Sequence, residues 1–171
     1  MDDARLQALT RWANAALDQL IPAKQSLVEL EPVSGDASFR RYFRTRLDQR
    51  SFIAVDAPPS NEDCEAFVRI SSLFREAGVR TPTVLCVDHK RGFMLLDDFG
   101  DQLYFHHLLR LQEQDSTEAA ADLYRQAIDT LIKLQSGVEC ERLDPYDREK
   151  LHDEMMLFQT WYCEEWLCLR L

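Results

Sequence analysis

The apolar residues of this chain change their spacing along its length, and that change limits the folds open to it. Over residues 4–20 they recur at helical intervals, with Leu6, Leu9, Trp12, Ala13, Ala16, Leu17 and Leu20 on one face and Pro22 as the stop. Three short strand-like runs follow, at 26–31, 38–45 and 51–56, separated by turn formers at 32–36 and a polar stretch at 46–50. On the second run Phe39, Arg41 and Phe43 fall on one face, and Arg40, Tyr42 and Arg44 on the other. Pro58-Pro59 closes the third run. A helix is then expected from Ser60, with Ser60 as its cap and Asp63 near the positive end of its dipole. Phe67, Ile70, Phe74 and Ala77 form its apolar stripe, and Gly78 ends it. Two more strands, 83–87 and 93–96, flank a turn at 88–92.

Beyond Gly100 the spacing is helical only. Helices are expected at 103–111 and at 118–135, the second with Leu123, Ala127, Leu131 and Leu134 in register. Asp144 is the expected cap of a last helix, with Pro145 at its first position. Its stripe of Leu151, Met155, Phe158, Tyr162, Trp166 and Leu169 runs to the end of the chain. The predicted class is α+β: a five-stranded antiparallel sheet with its helices over residues 1–100, then a helical region over 101–171. The last stripe asks for a partner, so self-association through the C-terminal helix is expected.

Composition removes several functions. At 171 residues the chain has room for one ordinary domain or two small lobes. Its formal charge of −10 repels phosphate backbones, which argues against nucleic acid as a partner. No apolar run is long enough to span a bilayer, so no membrane role is expected. The acidic start Met1-Asp2-Asp3 is unlike a signal peptide, and a cytoplasmic location is expected. Five cysteines without a C-x-x-C pair give neither a zinc site nor a disulfide framework.

Helix, three strands, helix, two strands and then helices is the order of a protein-kinase-like small lobe followed by the first helices of a helical lobe. Four ordered segments extend that likeness: residues 34–44 (Ser-Gly-Asp-Ala-Ser-Phe-Arg-Arg-Tyr-Phe-Arg), Val55-Asp56-Ala57-Pro58-Pro59, Gly78-Val79-x-Thr81-Pro82, and residues 92–101 (Gly-Phe-Met-Leu-Leu-Asp-Asp-Phe-Gly-Asp). Together they resemble the aminoglycoside phosphotransferase family. Within it they are most similar to the N-terminal half of the bacterial kinases that phosphorylate the anomeric hydroxyl of N-acetylmuramate and N-acetylglucosamine in peptidoglycan recycling. The resemblance implies an ATP-dependent phosphotransferase with an alcohol group as acceptor, using ATP, Mg and a small-molecule sugar.

Such chemistry needs a tight turn at the phosphates, a cation, an apolar slot for adenine and a catalytic loop. Gly35 supplies a permissive backbone for the turn, with Ser34, Asp36 and Ser38 around it. The usual Val-Ala-x-Lys strand is matched by Ile53-Ala54-Val55-Asp56, which sets Asp56 where a phosphate-binding lysine would stand. A carboxylate cannot take that role. The cation is expected from Arg40 or Arg44, and Arg40 is preferred, positioned by Glu65. The adenine slot is expected after the fifth strand, at Leu96, Asp98 and Phe99, with Tyr42 and Ala54 as its roof. Asp98-Phe99-Gly100 spells the metal-binding triplet of protein kinases, but it stands at the inter-lobe hinge with no catalytic loop before it.

That loop, H-x-D-x-x-x-x-N, is missing from the sequence. Two residues after His89, His106, His107 and His152 stand Arg91, Leu108, Leu109 and Glu154, and the asparagines are Asn14 and Asn61. No catalytic residue and no metal ligand is therefore assigned, and magnesium ligands are expected outside this chain. Glu149-x-x-His152 has the spacing of half a di-iron site but lacks a second pair. The expectation is the nucleotide-binding half of a sugar kinase, inactive alone. The alternatives are a non-catalytic nucleotide- or protein-binding module of the same fold, or a piece of an aminoglycoside, choline or homoserine kinase.

Overall fold

The computed structural model describes residues 3–21, 26–33 and 38–169. The chain separates into two compact units, Met1–Val138 and Glu139–Leu171.

The first unit holds a five-stranded sheet of β1 (Glu31–Pro32), β2 (Arg41–Leu47), β3 (Arg50–Asp56), β4 (Val84–Asp88) and β5 (Phe93–Asp97). The spatial order is β1-β2-β3-β5-β4 and every neighbouring pair is antiparallel. Two hairpins are thus joined edge to edge through β3 and β5, and the crossover between them is helix α2 (Cys64–Glu76). This is the α+β arrangement read from the sequence.

The sheet has two faces, each with its own core. On one, Phe43, Phe52, Ala54, Phe93 and Leu95 pack with Leu9, Ala13 and Leu17 of helix α1 (Ala4–Leu20). On the other, Val55, Met94 and Leu96 pack with Cys64, Phe67 and Val68 of α2, and with Tyr42 and Ile53. Phe43 lies opposite Ala54, and Ala54 opposite Leu95, so one row of side chains crosses the three central strands on the α1 face. Burying Leu9, Leu17, Phe93 and Leu95 completely contributes about 2 kcal/mol each at the usual worth of an apolar side chain.

Three boundaries differ from expectation, each because a side chain satisfies the backbone another way. Residues 26–30 do not pair in the sheet. Asn14 of α1 accepts from the Val28 N–H at 2.8 Å and donates to the Val28 carbonyl at 3.0 Å, which holds that segment against the helix. The cap of α2 is Asp63, not Ser60: its carboxylate accepts from the N–H groups of Glu65 and Ala66, while the Ser60 hydroxyl turns to Asn61. Likewise Asp147, not Asp144, caps α5 (Arg148–Leu157) by accepting from Lys150 N–H.

Helices α3 (Tyr104–Glu113) and α4 (Thr117–Gly137) follow the sheet in the first unit. Gly137 stands against Ala77 at the end of α2, where an added Cβ would come within 2.9 Å of the alanine methyl. The second unit carries α5, which continues as a π-helix over Phe158–Trp166 with Phe158 and Tyr162 stacked at 5.1 Å. The wider π turn breaks the expected α-helical stripe, and Met155, Phe158, Trp161 and Trp166 are exposed. No helix among the described residues is long and apolar enough to cross a membrane.

One turn couples the two hairpins. Gly92 has φ +71°, its carbonyl accepts from the Ala57 N–H at 2.8 Å, and a Cβ there would lie 1.8 Å from the Ala57 oxygen. Gly92→Ala is expected to destabilise the protein by at least about 2 kcal/mol, read as a lowered urea midpoint with an unchanged slope.

Candidate functional site

The α2 face of the sheet holds a cavity of about 330 Å³ at the end of β5, lined by Val33, Tyr42, Arg44, Ile53, Pro82, Leu96 and residues 97–100. That volume falls at the lower end of the range for small-ligand pockets. Its floor is the row Arg44–Ile53–Leu96, directly paired across β2, β3 and β5. Tyr42, Leu96, Asp98 and Phe99, named from the sequence for an adenine slot, all line this cavity.

Ala54 does not line this cavity. It is fully buried among Phe43 and Leu95 on the α1 face, and its neighbour Ile53 lines the cavity in its place. Alternation along β3 forces the exchange: Tyr42 and Ile53 belong to one face, Phe43 and Ala54 to the other. The same parity moves Asp56. It shares the α1 face with Ala54, and its fully buried carboxylate accepts from Arg5 of α1 and Arg41 of β2. Asp56 is therefore the centre of an ion-pair network behind the sheet, not a substitute for a lysine in the cleft.

The segment after β5 is fixed at two points. Asp97 accepts from the Thr83 N–H at 2.5 Å and its own N–H donates to the Thr83 carbonyl at 3.1 Å, which ties the end of β5 to the entry of β4. Arg44 then grips Asp98 with two nitrogens, Nε at 2.6 Å and Nη2 at 3.1 Å, and reaches Asp101 with Nη1 at 2.7 Å. The Asp98 side chain is 4% exposed. Burial pulls its pKa up, but hydrogen bonds from Arg44, the Gly100 N–H and Ser51 outweigh this and leave it below the ordinary value. The same pairing raises the pKa of Arg44, which stays charged. All three nitrogens of Arg44 are thus spent on the walls of the cavity, so it is a poor candidate for the phosphate cation. Asp98 is equally committed to arginine.

Phe99 projects at the lip, 48% exposed, with the Arg80 guanidinium 4.7 Å over its ring. Gly100 takes φ +79°, which turns the chain away from the sheet.

Arg40 lies on the same side of the sheet as α2 but lines a second cavity, of about 500 Å³, with Glu62, Phe67, Ile70, Phe74 and Thr81. Pro82 borders both cavities. The carboxylate beside Arg40 is Glu62, not Glu65: Glu62 stands 3.5 Å from Arg40 Nε and accepts from the Phe39 N–H at 3.0 Å. Glu65 occupies the first turn of α2, one residue past the helix start, while Glu62 precedes the cap and faces the entry of β2. Ser38 accepts from Arg40 through both its backbone N–H and its Nε, and the guanidinium lies 5.9 Å over the Phe67 ring. Ser34, Gly35 and Asp36, expected at the phosphate turn, lie outside the described residues.

Sequence reasoning missed Ile53, Pro82, Arg80 and Glu62. Ile53 was open to discovery, because once Tyr42 and Arg44 share a face, antiparallel pairing brings the residue opposite Arg44 to it. Arg80 and Glu62 carried no periodic signal.

A model of the phosphotransferase enzyme family matches residues 29–166. The N-acetylmuramate/N-acetylglucosamine kinase of Pseudomonas aeruginosa is 40% identical over 165 residues, which is 94% of this chain and 47% of that protein. The Pseudomonas putida protein of the same name is 38% identical over 94% of this chain and 46% of its own length. The counterpart from Neisseria meningitidis serogroup B is 36% identical over 78% of this chain and 39% of its own. The chain spans about half the length of the curated relatives it matches.

Arg44→Ala leaves the buried Asp98 without its partner and is expected to cost about 3 kcal/mol, measured by urea unfolding at pH 7. Because the folded-state pKa of Asp98 is lowered, the contribution of the pair is complete above the ordinary 3.8 and is lost as pH falls through the folded value. The gap between wild type and variant should therefore shrink below pH 3.8.

Proposed function

This chain belongs to the phosphotransferase enzyme family, and from that premise we propose that it is the nucleotide-binding half of an ATP-dependent amino-sugar kinase. In this reading residues 1–100 form the nucleotide lobe and 101–171 the first part of the helical lobe. The observation that carries it is the cavity between Tyr42, Ile53 and Leu96 and the backbone of residues 97–100. An apolar slot beside an extended segment receives a flat base on its faces, while backbone N–H and C=O groups read its edge. Phe99 and Arg80 form the outer lip.

Arg40 is the proposed cation for the phosphates. It stands directly ahead of β2, where Ser38 and Glu62 orient its guanidinium at the edge of the second cavity. Ser34, Gly35, Asp36 and Ser38 are proposed to cradle the phosphates, and Glu65, in the first turn of α2, to add negative charge on that side. The acceptor class, an amino sugar, rests on the names of the relatives.

Magnesium accompanies ATP in this chemistry, but among the described residues no cluster of His, Cys, Asp and Glu fits a site for it. Asp98, the one aspartate spelled like a metal ligand, has both oxygens occupied by Arg44. Without an H-x-D-x-x-x-x-N loop in the sequence the chain supplies no general base to the acceptor hydroxyl. Its own residues bind and orient the nucleotide, and they do not transfer it.

Two measurements check this reading. Calorimetric titration of the purified chain with ATP should show binding, and Ile53→Trp, which fills the slot, should weaken ATP and adenosine alike by more than about tenfold. A coupled ADP assay with N-acetylmuramate or N-acetylglucosamine should show no turnover above background. ATP binding unaffected by Ile53→Trp, or sugar-dependent ADP release by this chain, contradicts the proposal.

Self-association is a further part of this reading, favoured by Met155, Phe158, Trp161 and Trp166, each more than 60% exposed. Light scattering should give a mass that rises with protein concentration, and Trp161→Glu should return it to that of the monomer.

A further inference from the structure

The N-terminal helix α1 lies ahead of the residues matched by the family model, yet its first turn is wired to the strand that directly follows Arg40. Arg41 begins β2 and points to the α1 face, while Arg40, one residue earlier, points to the α2 face. Arg41 reaches Asp56 with Nε at 3.0 Å and Nη2 at 2.5 Å, and its other edge pairs with Asp3. Asp3 is also the cap of α1, accepting from the Leu6 N–H at 3.0 Å. From the same helix turn Arg5 donates to Asp56 at 3.0 Å and to the Arg91 carbonyl at 2.9 Å, beside the Gly92 turn.

The network thus runs from helix to strand to strand to turn: Asp3–Arg41–Asp56–Arg5–Arg91. Its centre, Asp56, is fully buried with a guanidinium on each side. A buried carboxylate held from two directions leaves Arg41 little freedom, and the peptide bond linking Arg41 to Arg40 is held with it. The hydrogen bond of Arg40 to Ser38 and its ion pair with Glu62 orient its guanidinium, but they do not fix the strand that follows it.

We propose that Asp3 and Arg5 are positioning residues for nucleotide binding: through Arg41 and Asp56 they set the β2 entry so that Arg40 faces the phosphates. The inference rests on the reading of Arg40 as the phosphate cation. It makes α1 part of the binding apparatus although α1 lines neither cavity.

The test compares two ligands, ATP and adenosine, titrated into the full chain by calorimetry. Adenosine reports the base slot, and the gain of ATP over adenosine reports the phosphate cation. Asp3→Asn removes the charge facing Arg41 but keeps a residue that caps helices well, so α1 should remain intact by circular dichroism. The expected result is a loss of ATP affinity of about three- to tenfold with adenosine affinity unchanged. Arg5→Gln should do the same, and Asp3→Glu should recover most of the loss. Arg40→Ala is the reference and should abolish the gain of ATP over adenosine.

The outcomes separate the two readings. If Arg40→Ala leaves ATP binding unchanged, or wild type binds no ATP, the reading of the nucleotide site falls and the inference with it. If Arg40→Ala removes the gain while folded Asp3→Asn keeps it within twofold, only the positioning role is overturned. Equal loss of ATP and adenosine in Asp3→Asn, at unchanged fold, likewise overturns it, since that is the signature of general loosening.

Discussion

The register of β2 against β3 is the constraint from which the rest follows. Phe43 stands opposite Ala54, and Arg44 opposite Ile53. A shift of one residue would send every side chain of the pair to the other face. With this register the small Ala54 accepts the close approach of α1, and the larger Ile53 walls the cavity beneath Tyr42. The same choice puts Asp56 behind the sheet, where only two arginines make its burial tolerable. It also puts Arg44 in front, where it holds Asp98 and Asp101 and so shapes the segment that leaves β5.

Charge is used differently on the two faces. Behind the sheet, Asp3, Arg5, Arg41 and Asp56 form a network whose charges are paired within it. Asp3 illustrates its strength: the Arg41 hydrogen bond, with the Leu6 N–H, lowers its pKa to about 2 although the side chain is partly exposed. In front, Arg44 pairs with Asp98 and Asp101, while Glu62, the Ser38 hydroxyl and the Phe67 ring stand against Arg40. Arg44 thus builds the wall of the first cavity, while Arg40 borders the second.

Element order was legible from spacing alone, because helices and half-exposed strands announce their period. The stripe of α2, with Phe67, Ile70 and Phe74, shows this. The faces of β3 and β5 were not legible. Phe52, Ile53, Ala54 and Val55 are apolar without a break, as are Phe93 to Leu96, because both sides of these central strands are covered. A strand buried on both faces carries no alternation, and so Ala54 was placed in the slot that Ile53 occupies. Long-range partners were hidden for another reason. Arg5 meets Asp56 from 51 residues away, and Arg44 meets Asp98 from 54. Nothing local marks such pairs. The helix caps erred by a few residues where several capping types cluster, as with Ser60 and Asp63, and only the geometry of the entering chain decides between them.

The stretch from Asp97 to Gly100 has a double office. It walls the cavity, and it is also the single covalent thread by which the sheet passes into α3 and α4. Gly100, with its left-handed backbone, is where that thread turns as it leaves the sheet. The lining of the cavity and the lead into the helices are thus the same few residues of backbone.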